Sequence, residues 1–338
     1  MKLDYLDNVI IGCWQLAQGH SSQQLVGLEV LEAYYEAGFR VFDCADIYTG
    51  VEELLGTFIR TNKLSPQDIA VHTKYVPDLV ALSSLSPQQT ERAIDRSLAR
   101  LGLERLDLVQ FHWWDYRVPG YLETLDSLGD LKQRGKIREI GLTNFDARHL
   151  EEIIARGICV ASLQTQYSIL DRRPQGRLAG LAKDHGIALL CYGSVAGGLL
   201  SERHLGKEAP QEPYENRSLA KYMLILEEIG GWDALQDLLE VLGEIAAARH
   251  TDVATVACAY CLQREAVRAC IVGVRTVNHL AQHLALRDGL ELSPGDLGRI
   301  ESVRTSFAEV PGAAYELERD RDGKHNKIMK FNLNQNQP

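Results

Sequence analysis

Four residues in the first third of the chain are of the types needed for proton transfer to oxygen. Asp43 is an acid at the end of the apolar run Arg40-Val41-Phe42. Tyr48 follows five residues later in a loop, ahead of a short helix over 51–59 that places Leu54, Leu55, Phe58 and Ile59 on one face. Lys74 and His112 each close a further apolar run. Delivering hydride to a carbonyl carbon leaves an alkoxide that needs a proton. A phenol with a pKa of about 10 is a poor donor by itself. An ammonium beside it stabilises the phenolate and lowers that pKa. Lys74 supplies such a charge, and Asp43 pairs with Lys74 and holds it. His112 orients the carbonyl and polarises it by hydrogen bonding. The plain alternative is a salt bridge between Asp43 and Lys74 beside a packed tyrosine.

These four can act together only if the runs that end in them lie side by side. The apolar runs fall at 9–14, 39–43, 69–74, 106–112, 137–142, 159–165, 187–192 and 267–272. Segments with helical spacing alternate with them, at 24–37, 87–101, 121–133, 147–155, 176–185 and 277–286. Most of the runs are continuously apolar, as parallel strands buried on both faces must be. The alternation predicts an α/β protein: a single-domain (β/α)8 TIM barrel with active-site loops at the C-terminal face of the barrel. In that fold the strand ends converge, so Asp43, Tyr48, Lys74 and His112 become neighbours. A doubly wound open sheet is the alternative. It is weakened by the lack of a Gly-x-Gly-x-x-Gly turn after the first strand. Two segments break the rhythm. Residues 202–232 read as a long polar insert of the kind that shapes a pocket. The polar tail, 311–338, lies beyond the barrel at 1–310 and either stays disordered or folds across the barrel mouth.

Composition bounds the rest. The chain has 338 residues, 45% of them hydrophobic, which suffices for one large core. Its net charge of −10 argues against a nucleic-acid partner. There is no apolar run long enough for a bilayer and no signal-peptide pattern at the start, so neither a membrane partner nor export is expected. Seven cysteines, an odd number scattered through apolar segments, suit a reducing cytoplasm better than a disulfide framework. Cys258 and Cys261 have redox-motif spacing but fall in a helical segment without a second pair, and helix packing is the expectation. His72 and His112 lack the spacing of metal ligands, so no metal is expected. Oligomeric state is not readable.

The sequence resembles the aldo-keto reductases from about residue 9 to about residue 287. Their pattern Asp-x-Ala-x-x-Tyr-Gly-x-x-Glu-x-x-Leu-Gly is met by Asp43, Ala45, Tyr48, Glu52, Leu55 and Gly56, with Thr49 in place of the first glycine. Thr73-Lys74 is similar to the family's Thr-Lys strand end, Gln110-Phe111-His112 to its Leu-His motif, and Gly141-Leu142-Thr143-Asn144-Phe145 to Gly-x-Ser-Asn-Phe. The resemblance implies reduction of aldehydes and ketones by NADPH, with Tyr48 as general acid and Asp43, Lys74 and His112 as its catalytic partners. A small-molecule carbonyl compound is the expected partner. The alternative within the family is an accessory or redox-sensor subunit that binds cofactor and turns over weakly. A sugar or polyol dehydrogenase would use the same residues.

The resemblance also implies a cofactor site. Thr143, Asn144 and Gln164 would hold the nicotinamide carboxamide, and Tyr192 would stack on its ring. Gly12, Cys13 and Trp14, at the end of the first strand, would border it along with Asp43. The run Tyr192-Gly193-Ser194-Val195-Ala196-Gly197-Gly198-Leu199-Leu200-Ser201 would bring backbone amides to the pyrophosphate, with Gly193, Ser194, Val195, Gly197 and Gly198 closest. Gly273, Arg275, His279, Gln282 and His283 match the adenosine segment loosely, and Arg203 stands where some members keep a lysine. Arg275 would pair with a 2′-phosphate, which favours NADP; NAD is the alternative, and either arginine could equally be a solvated surface charge. Trp14 and Trp113 are expected to line the substrate pocket beside Tyr48 and His112, while Trp114 and Tyr116 are expected to pack.

Overall fold

The computed structural model describes residues 3–17 and 24–334. Eight parallel strands close into a barrel in chain order: β1 (Val9–Gly12), β2 (Val41–Asp43), β3 (Ala70–Tyr75), β4 (Leu106–Phe111), β5 (Ile137–Thr143), β6 (Ser162–Gln166), β7 (Ala188–Tyr192) and β8 (Val267–Gly273). β8 returns to β1 with Ile271 opposite Ile10 and Gly273 opposite Gly12, so no strand edge is left open. The continuously apolar runs are explained by this closure, because one face of each strand fills the barrel and the other meets the helices.

Local signals fix the helices that surround it. Helix Pro87–Leu101 begins with a capping box between Ser86 and Gln89, takes Pro87 in its first turn and ends on left-handed Gly102. Helix Val51–Thr61 packs so closely on it that a Cβ at Gly56 would stand 2.3 Å from the Arg100 carbonyl oxygen. Glu52, in the same helix, is buried and accepts from Thr73 Oγ1 at 2.6 Å and from Arg100 at 3.4 Å. The loop carrying Tyr48 is thereby tied to β3 at the residue before Lys74.

The segment 202–232 is not a polar loop throughout. Within it, helix Arg217–Ile229 buries Leu219, Tyr222, Met223, Leu226 and Ile229, an i, i+3, i+4 stripe, and rests on the turn after β7. The tail folds across the barrel mouth as far as residue 334; residues 335–338 lie outside the described residues. Phe331 packs edge-on to Trp114 at 4.9 Å, and the Asn334 amide donates to Asp46 and to the Val76 carbonyl.

All seven cysteines are thiols, and Cys258 and Cys261 are buried in helix Val253–Leu262 as packing residues. Among the described residues no helix is long and apolar enough to cross a membrane, and no three His, Cys, Asp or Glu side chains are grouped to hold a metal.

Candidate active site

Strand register brings the predicted residues to one level of the barrel. Asp43 stands opposite Gly12 and His72, Lys74 opposite Gln110, and Thr143 opposite Gln164. Asp43, Lys74 and His112 are buried, and Tyr48 is half-buried on the loop above them.

Lys74 Nζ lies 2.5 Å from Asp43 Oδ1 and donates to the Cys44 carbonyl at 2.8 Å. The other Asp43 oxygen accepts from the amides of Gln110 at 2.7 Å and Gln164 at 2.8 Å. Gln164 also donates to Gln110 Oε1 at 2.8 Å. One carboxylate thus ties β2, β3, β4 and β6 together. Burial alone would push the Lys74 ammonium to lose its proton, and the Asp43 charge overrides that. Sequence reasoning passed over Gln110. It stands two residues before His112, and alternation along β4 puts both on the same face.

The Lys74 ammonium stands 4.8 Å from the centre of the Tyr48 ring, whose other neighbour is Trp14 at 4.6 Å. Tyr48 does not have the lowered pKa expected of a phenol beside a cation. Burial raises it first, Lys74 opposes that, and Asp43 adds to the rise. The reason is that burial of the phenol outweighs the ammonium's charge. Tyr48 therefore carries its proton at neutral pH, which is the state a proton donor needs.

His112 also differs from expectation. Its Nδ1 lies 3.2 Å from the Thr143 carbonyl oxygen. A carbonyl only accepts, so Nδ1 bears the proton and Nε2 presents a lone pair. Burial, with the charge of Arg319, pushes the ring pKa down to about 3, so a second proton is not available near neutrality. His112 is a neutral acceptor at Nε2, which is buried without a partner. In this tautomer Nε2 has no proton to donate.

Both tryptophans after His112 are buried, Trp114 as expected and Trp113 against expectation. Trp113 is fully buried, donates Nε1 to the Asp115 and Val118 carbonyls, and packs on Phe111. Trp114 meets His112 edge-on at 4.3 Å. Tyr116 packs as expected, stacked on His149 at 3.4 Å.

The cofactor-type residues form two groups. At the barrel end, Tyr192 donates to Asn144 Oδ1 at 2.8 Å, and Asn144 is left-handed at φ 62°. Gly12 is seated where a Cβ would touch Ile271 and the Val272 carbonyl, and Cys13 is a buried thiol facing the Ile11 carbonyl. The turn after β7 is left-handed at Gly193, Gly197 and Gly198, with Val195 between them at φ −100°. A Cβ on Gly193 would run into the Tyr222 hydroxyl, which is why the turn needs glycine there. Ser194 is buried and gives its hydroxyl to Cys270 Sγ at 3.4 Å, so its side chain serves the fold rather than a phosphate.

The outer group lies along β8 and its loop. A Cβ at Gly273 would overlap the Gln15 amide. Arg203 pairs with Glu215 at 2.8 Å, and Arg275 is exposed on the same rim. His279 is exposed ahead of helix Leu280–Arg287, and Gln282 Oε1 is buried without a partner. His283 departs from the expected cofactor role. Its Nδ1 is bonded to the Tyr34 hydroxyl at 2.9 Å, and burial, with His279, lowers its pKa to about 4. It is a neutral packing residue.

A roof that sequence reasoning did not resolve comes from the tail. Tyr315, left-handed at φ 62°, sets its ring 5.6 Å from His112 and 5.2 Å from the Lys221 ammonium, which also stands 5.3 Å from the Tyr192 ring. Three residues later Glu318 is buried between Arg173 at 3.2 Å and Lys221 at 3.3 Å, and Arg173 is held by Asp171 at 2.7 Å. Glu318 joins the β6 loop, the helix of the insert and the tail.

Comparison with known proteins agrees with this architecture. The profile described as Aldo/keto reductase family matches residues 8–305. An Escherichia coli protein named NADH-specific methylglyoxal reductase is 27% identical over 315 residues, covering 86% of this chain and 92% of that one. A chloroplastic pyridoxal reductase of Arabidopsis thaliana is 29% identical over 272 residues, covering 76% of this chain and 70% of that one. The solved holo form of aldo-keto reductase AKR11C1 from Bacillus halodurans superposes with a TM-score of 0.70 at 24% identity, covering 93% of this chain and 95% of that one.

Proposed function

The chain belongs to the aldo/keto reductase family, a family of oxidoreductases, and on that premise we propose that it reduces an aldehyde or ketone to the alcohol, with Tyr48 as the general acid. The observation that carries this reading is a protonated phenol 4.8 Å, at its ring centre, from an ammonium that Asp43 holds charged. A reduced nicotinamide dinucleotide, when bound, supplies the hydride. Unpartnered buried atoms fit such a group at both ends of the site, His112 Nε2 at the barrel and Gln282 Oε1 on the rim. So does the glycine turn after β7.

The protein's own residues then divide the work. Tyr48 donates its proton to the carbonyl oxygen and polarises it on the way. The phenolate left behind faces Lys74, whose charge stabilises it, while Asp43 keeps that ammonium from passing its own proton on. Asn144 and Gln164 would hold the carboxamide. Gln164 spends its Nε2 on Asp43 and Gln110, so its part would be played by Oε1. Trp14, Trp114 and Tyr315 wall the space around Tyr48 and His112, which suits a small carbonyl compound with an apolar side. Of the two dinucleotides, Arg203 and Arg275 alone would argue for NADPH. The Glu215 carboxylate on Arg203 weighs the other way, and NADH is the reductant proposed. The E. coli relative's name points in the same direction. A second reading, a cofactor-binding subunit with weak turnover, is favoured by the roof that Tyr315 makes over His112.

The test is the absorbance of the reduced nicotinamide with a panel of aldehydes and ketones between about pH 5 and 8. Steady turnover is expected, with no change of kcat around pH 6.5, because His112 stays neutral throughout. A limb near 6.5 that disappears in His112→Gln would refute the neutral acceptor. Tight dinucleotide binding without turnover on any carbonyl would favour the subunit.

A further inference from the structure

Arg203, His204, Glu215 and Arg275 share the rim where the outer end of a dinucleotide would lie, and one of the four is a carboxylate. Glu215 Oε1 accepts from Arg203 Nη2 at 2.8 Å and from Asn216 Nδ2 at 3.2 Å. The Arg203 guanidinium leans in turn on the glycine turn after β7. A Cβ built on Gly198 would stand 3.3 Å from its Nη2. The carboxylate is thus one residue removed from the turn that would approach the pyrophosphate.

Its position is set by the fold. Asn216 is the N-cap of helix Arg217–Ile229, its side chain accepting from the Leu219 amide at 2.8 Å. Glu215 precedes that cap directly and lies at the positive end of the helix. It is ionised at neutral pH, held below the usual carboxylate range by the Arg203 hydrogen bond and by the charges of Arg203 and Arg275. The pair does little for stability, since both side chains are about half exposed, 47% and 56%. What it changes is the charge of the rim. Two arginines would present two positive charges to a 2′-phosphate, and with Glu215 between them they present one.

We infer that Glu215 sets the dinucleotide preference, selecting a free ribose 2′-hydroxyl over a 2′-phosphate. This rests on the dinucleotide reading above and deepens it. An ionised carboxylate accepts hydrogen bonds from a ribose diol. It repels a phosphate and occupies the guanidinium that the phosphate would need.

Direct binding distinguishes this from the activity reading. The protein is titrated with NADH and with NADPH at fixed ionic strength, followed by nicotinamide fluorescence. The same is done with 5′-AMP and adenosine 2′,5′-bisphosphate, which probe the rim without the nicotinamide. Wild type is expected to bind NADH about tenfold more tightly than NADPH. Glu215→Gln is expected to tighten NADPH and the bisphosphate about tenfold, with NADH changed by less than about threefold. Adding Arg275→Ala should remove that gain, and salt should shrink it. Tighter NADPH binding by wild type, or an equal change for both dinucleotides in Glu215→Gln, would overturn the assignment of Glu215. Binding of neither dinucleotide would overturn the cofactor reading itself, and this inference with it.

Discussion

Tyr48→Phe is expected to lower kcat by about a thousandfold while leaving NADH binding within about twofold. General acid catalysis by a positioned side chain contributes roughly 10²–10⁴, and in the proposed mechanism Tyr48 is both the proton source and the polarising donor. The substitution removes one oxygen and keeps the ring, so the contact with Trp14 at 4.6 Å survives. The buried Asp43–Lys74 pair is kept, because Lys74 is still held by Asp43 and by the Cys44 carbonyl. The loss should therefore appear in kcat and not in stability. The check is stopped-flow or steady-state absorbance beside a thermal melt of the same preparation. A mutant with wild-type kcat would sink the acid assignment and leave the fold intact. A mutant that has lost its melt would say that Tyr48 is structural.

Glu318→Gln is expected to release the roof. Glu318 and Arg173 are almost fully buried, with side-chain exposures of 1% and 2%, and Lys221 is nearly so at 15%. Removing one partner of a buried ion pair costs about 3–5 kcal/mol when the other charge stays buried. Arg173 keeps Asp171, so Lys221 is the charge left uncompensated. The tail can relax by undocking, which returns Lys221 to water. The cost is therefore expected as cleavage in the tail under limited proteolysis, more than as loss of the whole barrel. Acid should do the same to wild type. Despite burial, which pushes the Glu318 pKa up, Lys221 and Arg173 hold it down to about 2. A carboxyl with a folded pKa below its unfolded value of about 4.3 stabilises fully above that value and loses the contribution as pH falls toward 2. Tail cleavage should rise across that window in wild type and be insensitive to it in Glu318→Gln. Equal cleavage of both proteins at neutral pH would show that Glu318 does not hold the roof.

The turn of the chain beyond β4 accounts for part of what was misjudged near the centre. The residue types Asp, Tyr, Lys and His were legible, and so was their spacing. Which of Trp113 and Trp114 meets His112 depends on how the chain turns beyond the end of β4, which local sequence does not specify. The insert was legible in part. Its stripe of Leu219, Tyr222, Met223, Leu226 and Ile229 has helical spacing, masked by the charged and polar residues before it. Ser194 and His283 sit in positions where the family pattern suggests cofactor contacts. The hydroxyl of one and the ring of the other are taken by Cys270 and Tyr34, which lie 76 and 249 residues away.

The sequence by itself determined the barrel and the four residues proposed as its catalytic set. Strands buried on both faces must be apolar throughout, and a strand end can carry an acid, a lysine or a histidine only where the barrel opens. Tertiary structure decided the states of those groups. Burial and long-range partners set proton positions, and neither is a property of local sequence. Burial, with Asp43 beside Lys74, keeps Tyr48 a phenol, Thr143 fixes the His112 tautomer, and Glu318 seals the mouth through charges 145 and 97 residues distant.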